Sequence, residues 1–157
     1  MITVVQVLAV LALAANAVVY GTDAAAALVV RSANTHLDDT AMTLSAGWGH
    51  YYADRRMPPV GITGLVSMLA AAVAAALGGH TAAAAAAGVS VIALIAWLVL
   101  YARIAKPVNI AQKAAALSGI IPANARALQQ RWDSIIGVRV GLQAIALLAA
   151  AVTIAAV

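Results

Sequence analysis

The chain predicts an all-α fold, a four-helix transmembrane bundle, and three observations carry that expectation. Of its 157 residues, 65% are apolar and only 9% are charged, a balance far from that of soluble domains. Four long apolar runs alternate with polar connections, and about 20 apolar residues are enough to cross a bilayer as a helix. Eight of the nine Lys and Arg residues fall in two stretches, Arg31 to Arg56 and Arg103 to Arg131, the kind of asymmetry that orients spans in a membrane. The ninth, Arg139, lies inside an apolar run, as does Asp23. The net charge of +4 borders hydrophobic spans, so it reads as orientation and headgroup contact, not nucleic-acid binding. With no cysteine, disulfides, a thiol nucleophile and thiolate-bound metals are excluded. Four spans and short connections use the whole length, which predicts one integral membrane domain over residues 1–157.

The first span is expected at about residues 2–30. It opens on apolar residues without the basic stretch of a cleaved signal peptide, so it is expected to remain. The polar segment Arg31 to Asp39 follows. Asp38, Asp39 or Thr40 is placed to cap a short interfacial helix over about residues 39–52, which carries Met42, Leu44, Trp48 and Tyr51. Pro58-Pro59 then opens the second span, about 58–77, since proline is tolerated in a first helical turn. Gly78-Gly79-His80-Thr81 reads as a tight uncharged turn. The third span, about 82–104, ends near Arg103, Lys106 and Pro107, before a polar segment from Asn109 to Asn124 with the breakers Gly119 and Pro122. The last helix runs from Ala125, spanning about 133–157. The alanine runs Ala70 to Ala76 and Ala82 to Ala87 predict close packing of spans two and three, because small residues let helix backbones approach in lipid. Loop charge places both termini outside the cytoplasm of a bacterial plasma membrane.

Polar residues inside the spans recur at helical spacing, the mark of an interior face. At 100° per residue, Asn16, Tyr20 and Asp23 form one stripe on the first helix. Trp132, Arg139 and Gln143 form another on the fourth, and Ser90, Trp97 and Tyr101 share a face of the third. Thr63 and Ser67 are a weaker pair on the second. Asp23 stands eight residues before Arg31, and Arg139 eight after Arg131. With opposite helix directions, both lie roughly 12 Å inside the basic boundary, which predicts an ion pair. The stripes predict a pocket between helices one, three and four, lined by Asn16, Tyr20, Asp23, Trp97, Tyr101, Trp132, Arg139 and Gln143. A guanidinium there suits an anionic or enolisable oxygen, and tryptophans suit a flat apolar body. The expected ligand is therefore small, aromatic or quinone-like, with a polar edge.

Each feature has a plainer alternative. An Asp and an Arg also fix helix register by neutralising each other. Trp97, Tyr101 and Trp132 also suit an interfacial aromatic belt. Gly137 and Gly141, four apart, fit internal packing or a dimer contact. Trp48 to Pro58 places His50 beside two phenols, Asp54, Arg55 and Arg56, and histidine is the one residue there suited to proton transfer near neutral pH. The alternative is a headgroup-facing helix anchored by Trp48, Tyr51 and the arginines. His36, His50 and His80 have no metal-ligand spacing, so no metal is expected. No Ser-His-Asp pattern, phosphate loop or dinucleotide fingerprint occurs.

The exit of the third helix, Lys106-Pro107-Val108-Asn109, and the run Arg126 to Gln143, with Arg131-Trp132, then Arg139, then an apolar tail, resemble the anthrone oxygenase-like family of small four-helix membrane proteins. Tyr20 and the stretch Tyr51 to Pro58, with Arg55-Arg56 before the second span, add a weaker similarity. Many relatives carry Asn a few residues after the tryptophan, where this chain has Ser134-Ile135-Ile136. The resemblance implies oxidation of an anthrone-type polyketide to an anthraquinone by O2, with no metal or flavin cofactor. It implies His50 or Asp23 as base, Arg139 with Asn109 or Tyr20 as oxyanion partners, and Trp132 with Trp97 as the aromatic slot. Two other readings stand beside this enzyme: a membrane subunit that holds a lipid, quinone or isoprenoid, and a structural bundle that assembles with itself or with another membrane protein.

Overall fold

The computed structural model describes all 157 residues, and its architecture is four long helices with short connections. They are α1 (Ile2–Asn34), α2 (Asp39–Leu77), α3 (Thr81–Ser118) and α4 (Ala125–Ala155), each long and apolar enough to cross a membrane. Consecutive helices pack side by side, and α4 closes the ring against α1, so the bundle runs up-down-up-down around one axis. The chain has the build of an integral membrane protein.

Each turn has a local cause. Asp38 stands in extended conformation and its carboxylate accepts the Ala41 N–H at 2.7 Å, capping α2. Gly79 and Gly119 take positive φ, 76° and 72°, and so end α2 and α3 where a side chain would be strained. Arg126, in the first turn of α4, holds the α1–α2 connection: it donates to the Asp39 carboxylate, to the Asn34 carbonyl at 3.1 Å and to the Leu37 carbonyl at 2.9 Å.

Two expected boundaries move. The interfacial helix expected at 39–52 is no separate element, because α2 runs through Pro58 and Pro59 without a break. The prolines remove two backbone donors, but α2 is anchored on either side of them by buried turns, Met42 to Gly47 before and Gly64 to Ala75 after, and runs on without a break. The segment after Lys106, read as polar connection, is helical as far as Ser118. At about 1.5 Å per residue, the 39 residues of α2 reach far beyond a hydrocarbon layer of roughly 30 Å. The excess lies at the end of the bundle that carries the basic stretches.

The two ends are built differently. At the end away from the basic stretches, Val5, Ala9, Ala12, Met68, Ala71, Ala75, Ala83, Ala87 and Ala150 form one fully buried cluster. The expected close contact of the alanine faces of α2 and α3 is present there. At the basic end the interior is polar, with Asp23, Asn34, Asn109, Gln112, Gln129 and Arg139 all buried. Gly137 and Gly141 take no part in either interior; they are exposed, with nothing within 4 Å of a would-be Cβ.

Candidate functional site

Where the alanine core gives way to polar residues, the four helices enclose a cavity of about 580 Å³, within the range of small-molecule sites. Its position follows from residue size: alanine pairs close the bundle above it, while Trp97, Tyr101 and Trp132 hold the helices apart around it. At the inner end Gly64 allows α1 to come close to α2, since a Cβ there would overlap the Asn16 side chain.

Two carboxylates organise the walls. Asp23, on α1, accepts Nη2–H of Arg139 from α4 at 2.7 Å and Nε1–H of Trp97 from α3 at 2.7 Å. Both members of the ion pair are buried, at 4% and 6% exposure, so each charge depends on the other for compensation. The Arg139 guanidinium also lies 5.0 Å from the Trp97 ring centre and 5.3 Å from that of Trp132, near enough for cation–π attraction to both. Asp54, on α2, accepts the Tyr101 hydroxyl at 3.1 Å, the Asn109 amide at 3.5 Å and the Lys113 ammonium. Asn109 in turn accepts Nε1–H of Trp132 at 3.1 Å.

The polar handle of every large ring in the cavity wall is thus tied to a carboxylate, directly or through one amide. Trp97 and Tyr101 stack in parallel, with centres 5.7 Å apart and planes 3° apart. Both rings are half-buried, with their polar groups tied to carboxylates of neighbouring helices. A planar ligand would meet surfaces whose orientation is already fixed, which lowers the ordering cost of binding.

Of the ten residues expected at the site, Asn16, Asp23, His50, Trp97, Tyr101, Asn109, Trp132, Arg139 and Gln143 all line the cavity. Tyr20 does not; it is half-buried on the flank of α1, because the buried arc of that helix runs through Asn16, Val19 and Asp23. Two further expectations change. Helix α2, left out of the expected pocket, contributes a whole wall from Ser45 to Leu65. Thr63 is exposed, and Ser90 lies outside the cavity, donating instead to the Ala146 carbonyl at 3.0 Å.

Sequence reasoning missed Gln112 and Gln129, which link three helices beside the cavity. Their signal was present as spacing: Gln112 follows Asn109 by three residues, and Gln129 precedes Trp132 by three. Deep in the wall, Nδ2 of Asn16, Nε of Arg139 and Oε1 of Gln143 are buried without a protein partner. Such groups cost roughly 1–3 kcal/mol each and concentrate at functional sites. Both widened helical turns, Ala26–Val30 and Tyr101–Ala105, also fall at this level, as such turns often do beside sites. No cluster of three or more acidic or histidine side chains stands ready to hold a metal ion. No protein-family model, curated protein or solved structure matches this chain.

Proposed function

We propose that this protein is a membrane-embedded oxygenase that oxidises a flat, enolisable aromatic substrate of the anthrone type with O2, using no metal or organic cofactor. The observation that carries the reading is the joint placement of His50 and the Arg139–Asp23 pair on one cavity walled by Trp97, Tyr101 and Trp132. In this reading His50 removes a proton from the activated CH2 of the bound substrate. Charge then develops on the substrate oxygen, where the Arg139 guanidinium stabilises it. The electron-rich enolate reduces O2 and combines with it, and the proton held by His50 returns to the resulting peroxide, giving a hydroperoxide at the former CH2 carbon. Loss of water from that hydroperoxide leaves a carbonyl, so CH2 and O2 become C=O and H2O.

A second reading, a non-catalytic holder of a quinone or isoprenoid, is favoured by the exposed apolar side chains that share the cavity wall. Val30, Ile62 and Leu98 are 47%, 62% and 46% exposed and line it, a path suited to a ligand arriving from lipid.

One experiment separates the two. Purified protein in nanodiscs is titrated with anthrone while tryptophan fluorescence, O2 uptake and the absorbance of the quinone product are followed. The oxygenase reading expects quenching together with O2 uptake above the uncatalysed rate. It also expects turnover to fall at least about 100-fold in His50→Asn, with quenching retained. Quenching by anthrone without O2 uptake leaves the holder, and no quenching by anthrone or by a ubiquinone analogue removes both.

A further inference from the structure

Asp133 lies one turn after Gln129 on α4, both on the cavity wall, and the pair begins a chain of hydrogen bonds that passes through α3 to His50 on α2. Gln129 Nε2 donates to Asp133 Oδ1 at 2.9 Å. Gln112 Nε2, from α3, donates to Gln129 Oε1 at 2.9 Å. Gln112 Oε1 then stands 3.0 Å from Nε2 of His50 on α2. The direction of the chain is forced at its far end. A carboxylate only accepts, and each primary amide presents N–H on one side and oxygen on the other. Turning either glutamine over would set two acceptor oxygens, or two N–H groups, against each other. Both glutamines are buried, at 0% and 6% exposure, where an unpaired polar group is costly.

The contact that closes the chain has its own cause in the sequence. Gly47, one turn before His50, lies against Gln112 and Ala116; a Cβ there would overlap the Gln112 backbone carbonyl and stand 2.6 Å from the Ala116 methyl. Glycine therefore brings α2 onto α3 at the level where His50 meets Gln112.

We infer that Asp133, Gln129 and Gln112 are positioning residues that fix the neutral His50 ring as its Nε2–H tautomer, leaving Nδ1, which has no hydrogen-bond partner in the protein, as the proton acceptor of a residue that lines the cavity. The inference deepens the proposed oxidation and rests on it for the role of His50 as base. The tautomer itself exists without substrate and is measured without it.

The test uses the full-length protein in nanodiscs, labelled with ¹⁵N-histidine, in a background of His36→Asn and His80→Asn, neither of which lines the cavity. Proton–nitrogen correlation spectra at a pH where the ring is neutral should show a protonated Nε2 and an unprotonated Nδ1. Gln112→Leu should shift both nitrogens toward the values of mixed tautomers, because it removes the acceptor that holds the Nε2 proton. Asp133→Asn removes the forced acceptor without touching His50, and it should produce a smaller shift in the same direction. Where Gln112→Leu fails to fold, Asp133→Asn carries the comparison. A protonated Nδ1 in the parent protein, or an unchanged tautomer ratio in Asp133→Asn, overturns the inference. Neither result bears on whether anthrone is bound or O2 consumed, so the two proposals fail separately.

Discussion

Changing Asp23 to Asn would leave the Arg139 guanidinium between two indole faces with no counter-charge, and changing Arg139 to Gln would strand the carboxylate in the same way. Each single change is expected to destabilise the protein by roughly 3–5 kcal/mol, the usual cost of an unpaired buried charge. The double variant Asp23→Asn/Arg139→Gln should be milder than their sum by about 0.5–3 kcal/mol. Thermal unfolding in detergent measures all three, and strict additivity would contradict the contact. At this scale the sequence was largely legible. Charged residues are rare in apolar helices, and the matched depths of Asp23 and Arg139 already paired them. Tyr20 was misplaced because a stripe drawn through polar residues ignores the apolar ones. Val19 shows where the buried arc lies, and Tyr20 stands roughly 100° from Val19 around the helix. The amide chain to His50 was harder to see, since glutamines are common on solvated faces and only tertiary contact shows which of them are buried.

Helix α2 holds two glycines two residues apart with opposite surroundings, Gly47 pressed on Gln112 and Ala116, and Gly49 with nothing within 4 Å of a would-be Cβ. Gly47→Ala is expected to force α2 from α3 and lower stability by about 1–3 kcal/mol, as overpacking does. Gly49→Ala should be neutral or stabilising by up to roughly 1 kcal/mol, the helix-propensity gain. Melting temperatures of the two variants decide it, and equal shifts would remove the argument for close approach at Gly47. The elements themselves were legible where apolar runs were long, and their ends were less so. Pro58-Pro59 was read as a start because proline favours first turns, yet α2 continues through it between buried turns that end at Gly47 and resume at Gly64. Gly119 and Pro122 were read as breaking the whole polar segment, whereas Gly119 acts only at its own position, where α3 ends. That misreading hid Gln112 and Lys113, which stand on the face that continues from Tyr101 and Asn109.

The whole molecule is polar inside at one end and close-packed with alanine at the other, and the basic stretches lie at the polar end. In the orientation expected from loop charge, a single cysteine at position 80 should react with a membrane-impermeant maleimide from outside intact cells, while one at Ser118 should react only after permeabilisation. The cysteine-free chain makes the labelling unambiguous, and the reverse pattern would invert the topology. The four-helix plan was the most legible feature, because apolar length and charge asymmetry act over many residues and tolerate local errors. The cavity was legible only in part, since three of its walls carry conspicuous polar stripes and the fourth, on α2, is mostly small or apolar. The alanine-packed end has a consequence for the cell that carries this protein. A buried cluster from Val5 to Ala150 with every member at 0% exposure offers ions no hydrated route through that end of the bundle. Moving one elementary charge through a 100 mV potential involves about 2.3 kcal/mol, and a leak at this site would drain that energy with each passage. The Asp23–Arg139 pair carries no net charge and feels no net pull from the field. Many copies could therefore sit in an energised membrane without discharging it.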